Sequence, residues 1–158
     1  MSDLLVKLYQ LPDLQLSLNN LKDNQIDLRR ALPPEKSVVV EWVRQTFHTN
    51  SWVNECDVCF ANKPVSCFIT TQAEKIVGFA CYDATCKNFF GPMGVSESMR
   101  GKGVGRALLL AALYAMKEQG YAYAVIGSAG PVEFYAKGCG AIVIEGSTPG
   151  FFRGMLRD

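Results

Sequence analysis

Apolar residues recur along this chain with two different periods, and the switches between them mark out the elements. Val39, Val43 and Phe47 lie at i, i+4 and i+8 with Trp42 beside them, the spacing of one helical face. Pro34-Glu35 opens that helix, with proline at the first position and an acid in the first turn, and it runs to about His48. Trp52, Cys56, Cys59 and Phe60 repeat the helical spacing in a second, shorter helix, which Ser51 is placed to cap. Residues 26–32 read as a short strand closed by Pro33-Pro34. Residues 65–71 and 75–84 read as two strands joined by a polar turn at 72–74, an antiparallel hairpin. A third strand covers 89–95, and a helix apolar nearly all round covers 106–119, stopped by Gly120. Residues 121–127 form a near-continuous apolar run, as in a central strand buried on both faces. Pro131 starts a last helix to about Lys137, and 141–145 and 151–156 read as closing strands around Thr148-Pro149-Gly150. The first 25 residues stay ambiguous: Leu14, Leu16 and Leu18 alternate like a strand, whereas Leu14, Leu18 and Leu21 fit a helix. We therefore expect an N-terminal extension over 1–25 and one α+β domain over 26–158, with no internal repeat.

Composition narrows the class. The 158 residues suit one domain, and 49% of them are hydrophobic, enough to bury a core. Sixteen Lys and Arg face fifteen Asp and Glu, a net charge of +1, which argues against a nucleic-acid coater. The longest unbroken apolar stretch, 107–116, is ten residues, and a membrane helix needs about 20. The N-terminus shows no basic region followed by an apolar run, so we expect no export signal and a cytoplasmic protein without a membrane or nucleic-acid partner. Six cysteines stand at 56, 59, 67, 81, 86 and 139. A zinc site on Cys56, Cys59, Cys81 and Cys86 is weighed and set aside, because the first two sit on an apolar helix stripe and the last two have opposite strand parity. Buried reduced thiols and no metal are expected.

Two features carry chemistry. The strand 89–95 contains Gly91, Pro92 and Gly94, and proline cannot donate to a sheet ladder, so this strand should bulge or splay from a neighbour. It leads into Arg100-Gly101-Lys102-Gly103-Val104-Gly105-Arg106 at the head of a helix. Alternate glycines let the backbone turn tightly and approach a ligand, the first helical amides lack intrahelical partners, and three cations accompany them. That combination describes a phosphate or pyrophosphate cradle. It is neither a P-loop, which ends in Gly-Lys-[Ser/Thr], nor a dinucleotide fingerprint, whose third glycine position is Arg106 here.

Residues 100–105 match [Gln/Arg]-x-x-Gly-x-[Gly/Ala], and about 30 residues later Phe134-Tyr135-Ala136-Lys137-Gly138-Cys139-Gly140-Ala141 is similar to a Tyr-x-Lys-x-Gly-Phe segment. On these motifs the chain resembles the GNAT superfamily of acyl-CoA N-acyltransferases, over about 26–156. The resemblance implies a mixed, mostly antiparallel sheet with a splayed strand pair, flanked by helices on both faces. It implies acetyl-CoA as cosubstrate, its pyrophosphate held by Arg100, Gly101, Lys102, Gly103, Val104, Gly105 and Arg106, and its pantetheine arm paired with Met93, Gly94 and Val95. Tyr135 matches the tyrosine that protonates the departing CoA sulfur. Two departures stand out: Ser128 lies where many members have asparagine and is expected to replace it as a polar contact to the cofactor, and Cys139 shifts the register before Gly140-Ala141.

The implied reaction is direct acetyl transfer to a primary amine of a small molecule or amino-acid-like acceptor, in a monomer or homodimer. A non-catalytic acyl-CoA sensor on the same fold is the alternative, and a zinc adaptor a weaker third. The base that deprotonates the amine is not identified by sequence. Glu41, Glu55, Asp57, Asp83 and His48 are candidates, with Glu97 beside the glycine signature. Acceptor selection is expected from about 47–63 and from the C-terminal strands.

Overall fold

The computed structural model describes all residues 1–158. Seven strands build one sheet: β1 (Leu4–Lys7), β2 (Asp27–Arg30), β3 (Cys67–Gln72), β4 (Lys75–Tyr82), β5 (Phe89–Val95), β6 (Tyr123–Ile126) and β7 (Ile142–Val143), in the order β2-β3-β4-β5-β6-β1-β7. Every neighbouring pair is antiparallel except β5 and β6. Five helices accompany it: α1 (Leu14–Asp23), α2 (Lys36–Phe47), α3 (Asn50–Cys59), α4 (Val104–Glu118) and α5 (Val132–Cys139).

Strand alternation sends side chains to two cores. Ala80 and Tyr82 of β4 join the larger one with α4, whereas Phe79 and Cys81 join the smaller one under α2 and α3. Ten of the fifteen residues of α4 are buried, which is why its apolar positions run nearly all round. Ala73 and Glu74, both in the left-handed region, make the tight turn between β3 and β4.

The N-terminal stretch resolves as strand and helix. Asp13 accepts from the Gln15 amide and starts α1, so the helical spacing of Leu14, Leu18 and Leu21 prevails and Leu16 is left in solvent. β1 lies inside the sheet between β6 and β7, with Leu4 and Val6 fully buried.

Several expectations need correction. Ser51 does not cap α3; Thr49 occupies the N-cap position. β6 is not buried on both faces: Tyr123 is exposed and stacks edge-on with Tyr9. No strand forms over 151–156. A single 3-10 turn, Gly150–Phe152, is followed by irregular chain, because the sheet edge has already ended in the two-residue β7. This tail runs back over the sheet to α3, where Asn50 Nδ2 donates to the Asp158 carboxylate at 2.6 Å. No helix is long and apolar enough to cross a membrane.

Candidate active site

The site begins where two parallel strands part. β5 and β6 pair only at Phe89 with Val125 and Phe90 with Ile126. After Phe90 the chain reaches Gly91, at φ +116°, and Pro92, which has no amide hydrogen to give. The ladder to β4 shifts register at the same point, between Ala80 and Tyr82. The strand thus both bulges and splays, and Met93, Gly94 and Val95 keep β4 on one side with no strand on the other. Gly94 is required by packing: a Cβ there would lie 2.4 Å from the Phe47 ring.

Beyond β5 the glycine turn delivers the chain into α4. Gly101 and Gly103 sit at φ +77° and +82°, and Gly103 is the N-cap. No side chain caps this end and no acid occupies its first turn, so its first amides are free to meet an anion. Space around Gly101 is open, with no atom within 4 Å of a Cβ built there. Arg100, Lys102 and Arg106 are exposed, and none belongs to the molecule's ion pairs. Val104 turns its side chain into the core and offers only backbone, while a Cβ built on Gly105 would lie 3.5 Å from Phe134 and 3.7 Å from Val95. The turn is fixed from α1, a contact the sequence did not reveal: Asn20 Nδ2 donates to the Lys102 carbonyl at 2.9 Å.

The gap between the parted strands opens into a cleft of about 520 Å³. Phe90, Met93, Ser128 and Tyr135 line it on the sheet side. Tyr135, on α5, is held by edge contacts with Phe90 and Phe134. Burial, with a smaller effect from Cys139, pushes its phenol up to about 12, so it stays protonated and keeps a proton to donate. Ser128 sits in the left-handed region, and its amide donates to the buried Asp3 Oδ1 at 2.7 Å. Asp3 therefore sets the shape of the 127–130 loop from the other end of the chain. Nothing local in either segment signals that bond.

Side chains from α3 and the tail close the opposite side: Trp52 and Glu55, then Phe152, Met155 and Arg157. Phe152 packs within 2.9 Å of where a Cβ on Gly127 would sit, and Phe151 stacks on Phe89. Among the acidic candidates only Glu55 reaches the cleft. Burial raises its carboxyl above the ordinary range, and Thr85 Oγ1, donating at 2.6 Å, pulls it partly back. Glu41 is tied to Arg44 and Gln45, and Asp57 to Lys36. Asp83 accepts from the Asn88 amide and the Tyr121 hydroxyl, and both His48, at the end of α2, and Glu97 are exposed.

Comparison with known proteins agrees with this architecture. Residues 63–138, which hold β3 through α5, match the family model described as "Acetyltransferase (GNAT) domain". Among solved structures, the glucosamine N-acetyltransferase region of a fungal multi-domain β-N-acetylglucosaminidase is similar at TM-score 0.73 and 12% identity, covering 90% of this chain and 19% of that one. A GCN5-related N-acetyltransferase from Sphaerobacter thermophilus is similar at 0.64 and 18%, covering 90% and 48%. An aminoglycoside acetyltransferase from an uncultured soil metagenomic sample is similar at 0.52 and 15%, covering 73% and 84%. The chain thus spans less than half the length of the first two of these proteins. No curated protein sequence matches it. Family model and fold coincide over the parted strands, the glycine turn and the tyrosine helix: residues 63–138 match the GNAT acetyltransferase domain, and the chain has the fold of GNAT acetyltransferases.

Proposed function

We propose that the cleft binds acetyl-CoA and that the chain transfers its acetyl group directly to a primary amine of a small or amino-acid-like acceptor. The observation that carries this reading is the splay of β5 from β6: it opens a cleft lined by Met93 and Tyr135, and the same strand runs on along its free edge into the bare N-terminus of α4. The cosubstrate supplies an activated acyl group on a thiol leaving group. The amides of residues 101–106, with Arg100, Lys102 and Arg106, suit its pyrophosphate. The free edge at Met93, Gly94 and Val95 suits the amide-bearing pantetheine arm, whose groups can continue the ladder. Ser128 lines the same groove.

Glu55 supplies the missing base. Its carboxylate, made more basic by burial, can take a proton from an ammonium in the cleft, leaving the neutral amine that attacks. Backbone amides of the splayed strand steady the negative charge developing on the carbonyl oxygen. Tyr135 then gives its proton to the departing sulfur. A phenol near 12 is a weaker acid than the ~8.5 of a free thiol. The burial that raises Tyr135 raises a thiolate in the same groove as well, which narrows the gap. Aromatic and sulfur side chains (Trp52, Phe152, Met155) beside one carboxylate favour an acceptor that joins an amine to an apolar body.

A panel of primary amines incubated with acetyl-CoA, read by free-thiol release and by acceptor mass, tests the reading. Thiol release that depends on an amine and adds one acetyl group to it is expected. Thiol release unaffected by every amine, or none at all, contradicts transfer.

A further inference from the structure

Four of the six cysteines meet in one place that the proposed reaction does not use. β3 and β4 bring Cys67 and Cys81 directly opposite each other, and α3 lays Cys56 across them. The three sulfurs lie within 4.8 Å of one another, and all three residues are fully buried. Cys59, one turn further along α3 and also fully buried, has its single S–H within reach of the Glu55 carbonyl at 3.5 Å and the Tyr82 carbonyl at 3.9 Å. The surroundings are Val, Ile and Phe side chains, with no histidine or carboxylate in the cluster. The sequence suggested Cys86 as the fourth member, but Cys86 lies outside this group in the β4–β5 loop, and Cys67 takes its place.

We propose that Cys56, Cys67 and Cys81 form a structural site for a thiophilic divalent cation, Zn²⁺, with Cys59 bordering it. A zinc ion at ~2.3 Å from each sulfur holds them about 3.8 Å apart, so these thiols need to close by about 1 Å at most. An all-sulfur donor set excludes Mg²⁺ and Ca²⁺, which need oxygen. Binding converts three thiols to thiolates, Zn²⁺ + 3 RSH → Zn(SR)₃⁻ + 3 H⁺. One net negative charge remains on the three-thiolate complex; structural zinc takes four donors, and Cys59, the remaining buried thiol beside the group, is the side chain available for the fourth position. Entry requires α3 to lift. That helix is ten residues long, lacks a side-chain cap, and has its outer face tied by the exposed pair of Asp57 with Lys36. Once bound, the ion pins α3 to the sheet, and with it Trp52 and Glu55, which immediately precedes Cys56. The ion would order the acceptor wall without touching the reaction.

The test uses reduced, chelator-stripped protein handled without oxygen. Native mass spectrometry with Zn²⁺, and absorption with Co²⁺ as a spectroscopic probe, should show one ion per chain. A thiolate charge-transfer band should saturate at one equivalent and vanish on adding Zn²⁺. Cys86→Ala should bind as the parent does; Cys67→Ala and Cys81→Ala should not. If either of these fails to fold, the parent's band and its one-to-one stoichiometry decide the matter. No uptake at tenfold excess of Zn²⁺, a Co²⁺ spectrum without thiolate charge transfer, or undiminished uptake by folded Cys67→Ala overturns the proposal. Acetyl-CoA binding is read separately, so failure of the metal site and failure of the transferase reading remain distinct.

Discussion

The two sides of the cleft are built differently. The side assigned to acetyl-CoA comes from one stretch, Phe89 through Arg106, and works largely through backbone: a free strand edge, two left-handed glycines and the first amides of α4. The side assigned to the acceptor is assembled from α3, Thr85 and the tail, and works through side chains. Backbone recognition demands special residues in a fixed order, because few sequences can splay a strand and then turn into a bare helix end. Side-chain recognition requires only that distant segments meet, and many sequences achieve that. The first side therefore marks the superfamily, and the second belongs to this chain.

Substitutions can separate the two sides. Tyr135→Phe has the largest expected effect: turnover falls by about 10²-fold or more while acetyl-CoA affinity holds, measured by thiol release and calorimetry. Glu55→Gln should cost turnover on a similar scale, again with acetyl-CoA binding intact, and should remove the acidic limb of the pH profile. In the parent chain kcat/KM should rise with pH as Glu55 ionises, with a midpoint above the ~4.3 of a free glutamate. The stability sign runs the other way. A carboxyl raised in the folded state adds most stability below its unfolded value and loses that contribution as pH rises through its folded value. The melting temperature of the parent relative to Glu55→Gln should therefore decline from acid to neutral pH.

Gly103→Ala places a side chain at φ +82° and 2.7 Å from Asn20 Nδ2. Strain of ~1–3 kcal/mol should weaken acetyl-CoA binding by roughly tenfold without altering acceptor selectivity. Phe152→Ala should do the reverse, changing acceptor KM several-fold and leaving acetyl-CoA binding unchanged. Arg106→Gln has the smallest effect, about two- to fivefold on acetyl-CoA affinity, and the difference should shrink with added salt.

Reading the sequence recovered what is local. The limits of β5 follow from its apolar run, and Gly91, Pro92 and Gly94 pointed to a bulge or a splay, of which the strand shows both. The glycine turn and Tyr135 were legible for the same reason, since each is a short motif with its own chemistry. Contacts between segments far apart in the chain were not. Asp3 shaping the loop at Ser128, Asn20 fastening Lys102 and Thr85 holding Glu55 each join ordinary polar residues 30 or more positions apart. The C-terminal strand was misread because Phe151, Phe152 and Met155 are apolar for a different reason: they pack over the cleft rather than into a ladder. Net charge was uninformative about the proposed ligand. With +1 overall, the useful signal is that three unpaired cations stand at one bare helix end.

Titration calorimetry of the purified chain with acetyl-CoA tests the central claim most directly. The account predicts saturable binding of one acetyl-CoA per chain, weakened by Gly103→Ala and retained in Tyr135→Phe and Glu55→Gln. Absence of binding at millimolar acetyl-CoA, or binding indifferent to Gly103→Ala, would contradict it.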